Sequence, residues 1–574
     1  MRFVAAVPTL MVAVLVAVLA SGCAETNPAD PFQGSSPSFS RAPAGALDDV
    51  PPRSEDFGAV WAELSDDSLW AYVAARDSMI VVGLKKPGAR RGVWRSRILI
   101  PGADRGAAVV QLRRFRDAEV VEVDTLLPVA KVKVTSVSAI RALRRFPFAD
   151  YVEPAAIGIH YSSGASGCGW ESWSGTPDRI ASGDYIPPNF TRGDADIEIA
   201  WNRSRGDGVV IGLADTGIQS TQAQLREHFA TGASSGRWHS YHGLGGHPWY
   251  ATGCSHGTRM AAAMVAPRDG RNMVGVAWRA NFISVHQADN VWHVDPPDVA
   301  VAVRDAASFN QDNYPSRRIV TMAFRADNGS NRLSDEIRFW HDHGRLFIAA
   351  SGSVDLAGVY FPASMPEVMA VSAVGPGYEP IEGFLGVSGV NYGDKVEVSF
   401  VDMQLSAGRN ESELNSLSVT SGATAIVSGI AALVWSAFPN ETNEQIRDRL
   451  RRAGHQYPSH DRVLGYGIVS AMKALGGFHK VTIKRTWVSG GGFNQVATYD
   501  LEAMPEGGEG PYSYEWSTGA TTKTIRISIG PGDPVFHYEV TVSEPDPYGI
   551  TSNSSSIDID PPPGGCDDPT KLVC

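Results

Sequence analysis

The middle of the chain, from about residue 196 to 477, alternates short apolar runs with stretches that have the apolar spacing of helices. The apolar runs are rich in Val and Ile. Strands of this composition, separated by helices, favour a parallel sheet that is covered on both faces. We therefore predict an α/β domain here. Its predicted strands include residues 209–214, 282–286, 319–324, 346–350 and 368–374.

The segments on either side of this domain have different patterns. Residues 478–560 are rich in Thr, Ser, Gly and aromatic residues, with alternating apolar positions at 525–529 and 538–542. This alternation predicts an all-β module, an immunoglobulin-like sandwich. Residues 56–160 combine strand-like runs with a short amphipathic helix and predict a small α+β domain. Residues 161–195, rich in Gly, Ser and Pro, are predicted to form a loop.

The N-terminus has the pattern of an export signal. Met1-Arg2 supplies a positive charge, and residues 3–20 are almost wholly apolar, which is typical of a signal peptide. Residues 19–23 resemble the bacterial lipobox, in which the Cys, here Cys23, receives lipid and becomes the mature N-terminus. Ala20 stands where Leu is more usual, so a plain secretory signal remains the alternative. Residues 24–55 are predicted to form a flexible tether.

Composition adds limits on the number of domains and the class of partner. At 574 residues the chain is long enough for two to four domains, and 43% hydrophobic with 20% charged residues is ordinary for a globular protein. The net charge of −12 argues against a nucleic-acid partner, because phosphate binding favours a basic face. The only membrane attachment predicted is the lipid anchor.

Five cysteines fit an exported protein. With Cys23 carrying lipid, four remain for disulfides. The pairs Cys168–Cys254 and Cys566–Cys574 are one of three combinations. The last pair would close the predicted tail of residues 561–574.

Three segments carry candidate catalytic residues. An apolar strand delivers Asp215 at its C-terminal end, the end at which active sites form in α/β sheets. His256 begins a helix of small residues. Ser421 opens a second, longer helix, whose N-terminal N–H groups can stabilise an oxyanion.

These segments resemble the motifs of subtilisin-like serine proteases, which occur in the chain order Asp, His, Ser. The matching residues are Asp215-Thr216-Gly217, His256-Gly257-Thr258, Thr420-Ser421 with Ala423, Gly275-Val276-Ala277 and Gly465-Tyr466-Gly467-Ile468-Val469. The sequence departs from the family pattern at Arg259, Met260, Val419, Gly422 and Ala425.

The resemblance implies a subtilisin-like fold and hydrolysis of peptide bonds in proteins through an acyl-enzyme. Ser421 would be the nucleophile, His256 the general base and Asp215 the residue that orients His256. The chemistry needs no cofactor. The family often binds structural calcium, but no acidic cluster here has a readable spacing, so calcium is left open.

Two departures bear on catalysis and substrate binding. In the segment that aligns with the family's A-A-G-N, Ser353 stands in place of the Asn that donates to the oxyanion. Ser353 is therefore the candidate oxyanion donor. Ala323 and Arg325 lie on the strand that resembles the family's substrate-pairing M-S-L-G strand. Arg325 replaces the usual Gly and is expected to narrow the cleft or favour an acidic substrate group.

The α+β domain also has a family counterpart. Residues 127–156, with the ending Tyr151-Val152-Glu153-Pro154, resemble the inhibitory prodomain of subtilisin-like proteases. Residues 56–160 are thus predicted to inhibit the enzyme until residues 161–195 are cut. The Y-S-Y-E-W segment of the all-β region resembles β-sandwich modules of secreted bacterial enzymes.

The sequence leaves two other functions open. The D-T-G motif also occurs in aspartic proteases, but those need two such motifs and the chain has one. The departures at Ser353 and Arg325 also suit an inactive, surface-binding protein that has kept the fold.

Overall fold

The computed structural model describes residues 59–89, 91, 102–155, 178–179, 183–187, 190, 196–244, 247–251, 253–289, 291, 296–310, 317–326, 329–353, 358–375, 381, 389–402, 404–411, 413–417, 419–477, 480–491, 495–508, 510–546 and 549–562. They belong to one compact unit, Gly45–Cys574; the other unit is Met1–Ala44. The predicted signal peptide, the tether and four of the five cysteines (all but Cys254) lie outside the described residues, as does most of the predicted tail.

The central domain is built on a seven-stranded parallel sheet with the strand order β13-β12-β11-β10-β7-β9-β8. This confirms the predicted α/β architecture. Every residue of β7 is buried, as expected for a strand covered on both faces. The strands are β7 (Val210–Asp215), β8 (His239–Gly243), β9 (Asn281–His286), β10 (Arg318–Met322), β11 (Arg345–Ala350), β12 (Val368–Val374) and β13 (Val396–Val401).

Helices cover both faces of this sheet. On one side, Ile211 and Leu213 of β7 share a core with α6 (His256–Val265) and α9 (Val419–Ala437). On the other side, Val210 and Ala214 share a core with α7 (Pro296–Ser308) and α8 (Asn331–Asp342). Among the described residues, α9 alone is long and apolar enough to cross a membrane, and 83% of its most apolar window is buried inside the domain. It is the central helix of the core.

The N-terminal region forms an antiparallel sheet of order β2-β3-β1-β4 with its own apolar core, and four helices of this region belong to the described residues. Half-buried and exposed positions alternate over residues 118–121 of β2, whereas β1 is buried throughout. The elements are α1 (Ala59–Glu63), α2 (Asp66–Ala74), β1 (Met79–Leu84), α3 (Gly102–Leu112), β2 (Ala118–Val123), β3 (Val129–Val134), α4 (Val137–Arg145) and β4 (Ala149–Pro154).

The C-terminal region contains two three-stranded antiparallel sheets, β16-β17-β19 and β18-β20-β21, which share one apolar cluster. The immunoglobulin-like topology and the domain boundaries stay predictions. The strands are β16 (Lys480–Ser489), β17 (Ala497–Glu506), β18 (Ser513–Trp516), β19 (Thr524–Ile529), β20 (Phe536–Asp546) and β21 (Gly549–Ile559).

Smaller elements connect these parts. They are β5 (Asp178–Arg179), β6 (Tyr185–Ile186), α5 (Ile197–Ala200), the hairpin of β14 (Gln404–Ala407) and β15 (Leu414–Leu417), α10 (Asn443–Arg452) and α11 (Ala471–Ala474).

Candidate active site

Asp215 and His256 meet at the C-terminal edge of the sheet. Asp215 ends β7 and is fully buried, and His256 is the first residue of α6 and is 4% exposed. His256 Nδ1 lies 2.9 Å from Asp215 Oδ1 and 3.0 Å from Oδ2. An ionised carboxylate only accepts hydrogen bonds, so Nδ1 carries the proton and Nε2 keeps a lone pair. That lone pair is what a general base requires.

The turn after Asp215 is hydrogen-bonded to the start of α6. Thr216 N donates to Asp215 Oδ1 at 2.7 Å, while Thr216 Oγ1 accepts from Gly257 N at 2.9 Å. The two segments approach so closely that a Cβ at Gly257 would lie 2.5 Å from the carbonyl oxygen of Gly217. A larger residue at Gly257, the glycine of the H-G-T motif, would therefore clash with the backbone of the turn.

Ser421 lies in the first turn of α9 and is partly exposed. Helix α9 packs against α6, which brings Ser421 and His256 onto neighbouring helices. Within the part of the chain that the structure describes, no hydrogen bond joins Ser421 to His256. Catalytic hydrogen bonds are often long without substrate and tighten in the complex.

Val419, just before Ser421, has a φ of 53°, in the left-handed region that favours glycine. The family usually has Gly at this position, so the chain keeps the backbone conformation without the residue that adopts it most easily. The Asp402 carboxylate accepts a short hydrogen bond from Val419 N and supports this turn. Asp402 was not identified from the sequence, because nothing local marks its contact with a residue 17 positions later.

Ser353 lies beside the turn that carries the candidate nucleophile. Its hydroxyl is 2.8 Å from Thr420 Oγ1, and Thr420 directly precedes Ser421. Gly352 has a φ of 118°, and a Cβ there would lie 2.6 Å from the Tyr360 ring. The structure thus places Ser353 next to Thr420, and its role as an oxyanion donor stays a prediction.

Ala323 and Arg325 follow β10 at the same edge of the sheet. Ala323 is buried, whereas Arg325 is partly exposed. Arg325 N donates to the carbonyl oxygen of Val291 at 3.0 Å, and its guanidinium stacks over the Tyr360 ring at 4.3 Å. Arg325 thus contacts two other segments of the chain, at Val291 and at Tyr360. Tyr360 was not identified from the sequence because no motif accompanies it.

Arg259, which departs from the family's H-G-T-H pattern, faces the protein interior. It is 2% exposed, and its Nη1 donates to the carbonyl oxygen of Ser416 at 2.9 Å. Its own carbonyl oxygen accepts from Ser406 Oγ at 2.7 Å. Arg259 therefore joins α6 to the β14–β15 hairpin and is a structural residue.

Cys254, two residues before His256, is buried and disulfide-bonded. Its partner lies outside the described residues, so the Cys168–Cys254 pair stays a prediction. A disulfide here would restrain the segment that leads into α6.

Comparisons with known proteins identify the family of this chain. The profile of the subtilase family matches residues 206–467, a span that contains Asp215, His256 and Ser421. A thermostable alkaline protease of Halalkalibacterium halodurans is 30% identical over 269 residues, which cover 47% of this chain and 68% of that protein. The halolysin-like extracellular serine protease Nep of Natrialba magadii is 26% identical over 396 residues, covering 68% of this chain and 69% of that protein. The solved structure of sphericase has 22% identity and a TM-score of 0.39 over 50% of this chain and 98% of its own.

Proposed function

This chain belongs to the subtilase family and is a serine-type endopeptidase, and we propose that Asp215, His256 and Ser421 form its catalytic triad. The observation that carries the proposal is the hydrogen bond from His256 Nδ1 to the buried Asp215, at 2.9 Å. It gives His256 the tautomer that a general base needs. In an aspartic protease the D-T-G carboxylate would face a second carboxylate, whereas here it is bonded to an imidazole.

The mechanism follows from the positions of these groups. His256 Nε2 takes the proton of Ser421 as Oγ attacks the scissile carbonyl carbon, and Asp215 stabilises the resulting imidazolium. Nε2 then gives that proton to the amine nitrogen as the peptide bond breaks. Water, activated by His256 in the same way, attacks the acyl-enzyme ester and regenerates the Ser421 hydroxyl.

The N-terminal domain is the proposed inhibitory prodomain. Its strand β4 contacts the N-terminus of α8, where Glu153 accepts hydrogen bonds from Ser330 Oγ and from the backbone of Asn331 and Arg332. Export through the signal peptide and anchoring at Cys23 complete the proposal. Since the anchor lies upstream of residues 161–195, a cut there either releases the peptidase or leaves it held only by its noncovalent contacts with the prodomain.

Labelling with a fluorophosphonate probe tests this function. We expect the self-processed protein to be modified at Ser421, as found by mass spectrometry of the labelled peptide, and its activity to be lost. Pepstatin, which is directed at aspartic proteases, should leave the activity unchanged. Absence of labelling in a folded, processed protein would instead support an inactive surface-binding protein.

Replacing Ser353 with Ala should lower kcat roughly tenfold and leave KM nearly unchanged. Loss of a full oxyanion donor costs about 10²–10³ in kcat, and a hydroxyl shared with Thr420 supplies only part of that stabilisation. Steady-state kinetics on a peptide substrate measures both constants. Ser353→Asn, which restores the family's longer donor, should keep or raise kcat. An unchanged kcat in Ser353→Ala would remove this residue from the oxyanion site.

A further inference from the structure

A second group of polar side chains lies beside the catalytic strand. His286 ends β9 and is paired in register with Asp215. It is fully buried, and its Nδ1 lies 2.6 Å from the carbonyl oxygen of Pro248. Because a carbonyl oxygen only accepts, Nδ1 carries the proton, and Nε2 of the neutral ring presents a lone pair.

The lone pair of His286 Nε2 is buried and has no hydrogen-bond partner among the residues that the structure describes. Asp289 Oδ1 is 3.3 Å from it, but without hydrogen-bond geometry. Buried nitrogens of this kind normally find a partner, and an unsatisfied one requires an explanation. A bound cation would satisfy this nitrogen, since a lone pair and a nearby carboxylate both attract a cation.

His247 completes the group. Its Nδ1 is 3.6 Å from Asp289 Oδ2, and the ligand atoms of His247, His286 and Asp289 all lie within 4.8 Å of one another. Zn²⁺ binds nitrogen and carboxylate oxygen at about 2.0–2.2 Å, so tetrahedral ligands lie about 3.3–3.6 Å apart. Asp289 Oδ1 lies 3.3 Å from His286 Nε2 and Asp289 Oδ2 lies 3.6 Å from His247 Nδ1, so each imidazole has a carboxylate oxygen at such a distance. Binding through a single oxygen of Asp289 requires the group, whose ligand atoms lie within 4.8 Å of one another, to draw closer around the ion.

We propose that His247, His286 and Asp289 bind one Zn²⁺ ion. Two imidazoles and one carboxylate suit a divalent transition metal rather than calcium, which prefers oxygen ligands. The Pro248 carbonyl serves as the outer-shell acceptor that fixes the tautomer of a metal-binding His. The fourth position is left for water, since the His247 and Asp289 side chains are 30% and 54% exposed.

The site lies against the D-T-G turn. Gln287 N donates to the carbonyl oxygen of Asp215 at 3.0 Å, and a Cβ at Gly217 would lie 3.0 Å from the His286 side chain. The ion therefore joins the loop that carries His247 to the strand that supports Asp215. Occupancy should stabilise this edge of the sheet without taking part in the reaction.

Metal titration tests the proposal on the untagged full chain carrying Ser421→Ala, which prevents self-cleavage. After treatment with a chelator, Zn²⁺ is titrated in competition with a chromophoric chelator, and we expect one equivalent to bind. His247→Ala and Asp289→Asn should each weaken binding at least about tenfold. Both side chains are partly exposed, so neither change threatens the core.

His537→Ala is the matched control, since His537 is also paired with a carboxylate, that of Asp558 at 2.7 Å, but lies in the C-terminal region. The His537→Ala variant should bind Zn²⁺ with the same affinity as the Ser421→Ala parent. Co²⁺ in place of Zn²⁺ should give the visible absorption of a four-coordinate site, which is lost in His247→Ala. No binding to the parent, or equal binding by all variants, would overturn the proposal.

Discussion

Replacing Ser421 with Ala is expected to lower kcat by on the order of a millionfold, the loss seen when the nucleophile of subtilisin is removed. Without the hydroxyl no acyl-enzyme forms, and His256 has no Ser421 proton to accept. Steady-state hydrolysis of a peptide substrate measures the loss. Ser436→Ala is the matched control, since Ser436 lies at the far end of the same helix and its hydroxyl donates to the carbonyl oxygen of Asp207.

The same variant reports on maturation. If the enzyme cuts its own chain within residues 161–195, Ser421→Ala should remain one uncut polypeptide, whereas Ser436→Ala should yield two fragments. N-terminal sequencing and intact mass distinguish these products. Substantial activity in purified Ser421→Ala would show that another residue is the nucleophile.

Replacing Glu153 with Ala should weaken the contact between the N-terminal domain and the peptidase by roughly 10²- to 10³-fold. Glu153 is fully buried, and its carboxylate accepts from Ser330 Oγ, from the backbone N of Asn331 and Arg332, and from Asn331 Nδ2. Burial raises the pKa of this carboxyl, although the hydrogen bonds oppose that shift. Removing it leaves four buried or half-buried donors at the start of α8 without their acceptor.

Dilution of the processed complex measures this effect, because peptidase activity appears as the N-terminal domain dissociates. Glu153→Ala should reach half of its full activity at a concentration roughly 10²- to 10³-fold higher than the parent. Glu153→Gln, which keeps one acceptor, should fall between them. Glu122→Ala is the control, since Glu122 is exposed on β2 of the same domain. Equal behaviour of Glu153→Ala and Glu122→Ala would contradict the proposed inhibitory contact.

Local sequence patterns predicted the strands, the helices and the short catalytic motifs, because each of these is encoded by residues that are close together in the sequence. The parallel sheet followed from buried apolar runs, and Asp215, His256 and Ser421 stood out because each belongs to a short motif beside a strand or helix. The alignment also made Ser353 the candidate oxyanion donor, and that role stays a prediction. In the structure its hydroxyl lies 2.8 Å from Thr420 Oγ1.

Local patterns did not predict contacts between residues that are far apart in the sequence. Arg259 stands out in sequence only as a departure from the family motif, yet it bonds to Ser416, 157 positions away. Arg325 was expected to narrow the cleft, but its stacking partner Tyr360 carries no signal of its own. The group of His247, His286 and Asp289 was missed because two loops and a strand end meet only in the folded chain.

The N-terminal domain also bonds to two helices that flank β10 in the chain. Asp124 accepts from Arg304 of α7 and from Arg332 of α8, each at 2.7 Å. Strand β10 must pair with β7, which lies far earlier in the sequence. Closing this large loop lowers the entropy of the chain before the contacts between the two strands have formed. Because Asp124 bonds to both of these helices, we expect the N-terminal domain to lower this entropic cost while the sheet assembles. If the N-terminal domain leaves after the proposed cut, we expect the remaining peptidase to face the full folding barrier, so that its lifetime would be set by its rate of unfolding rather than by an equilibrium.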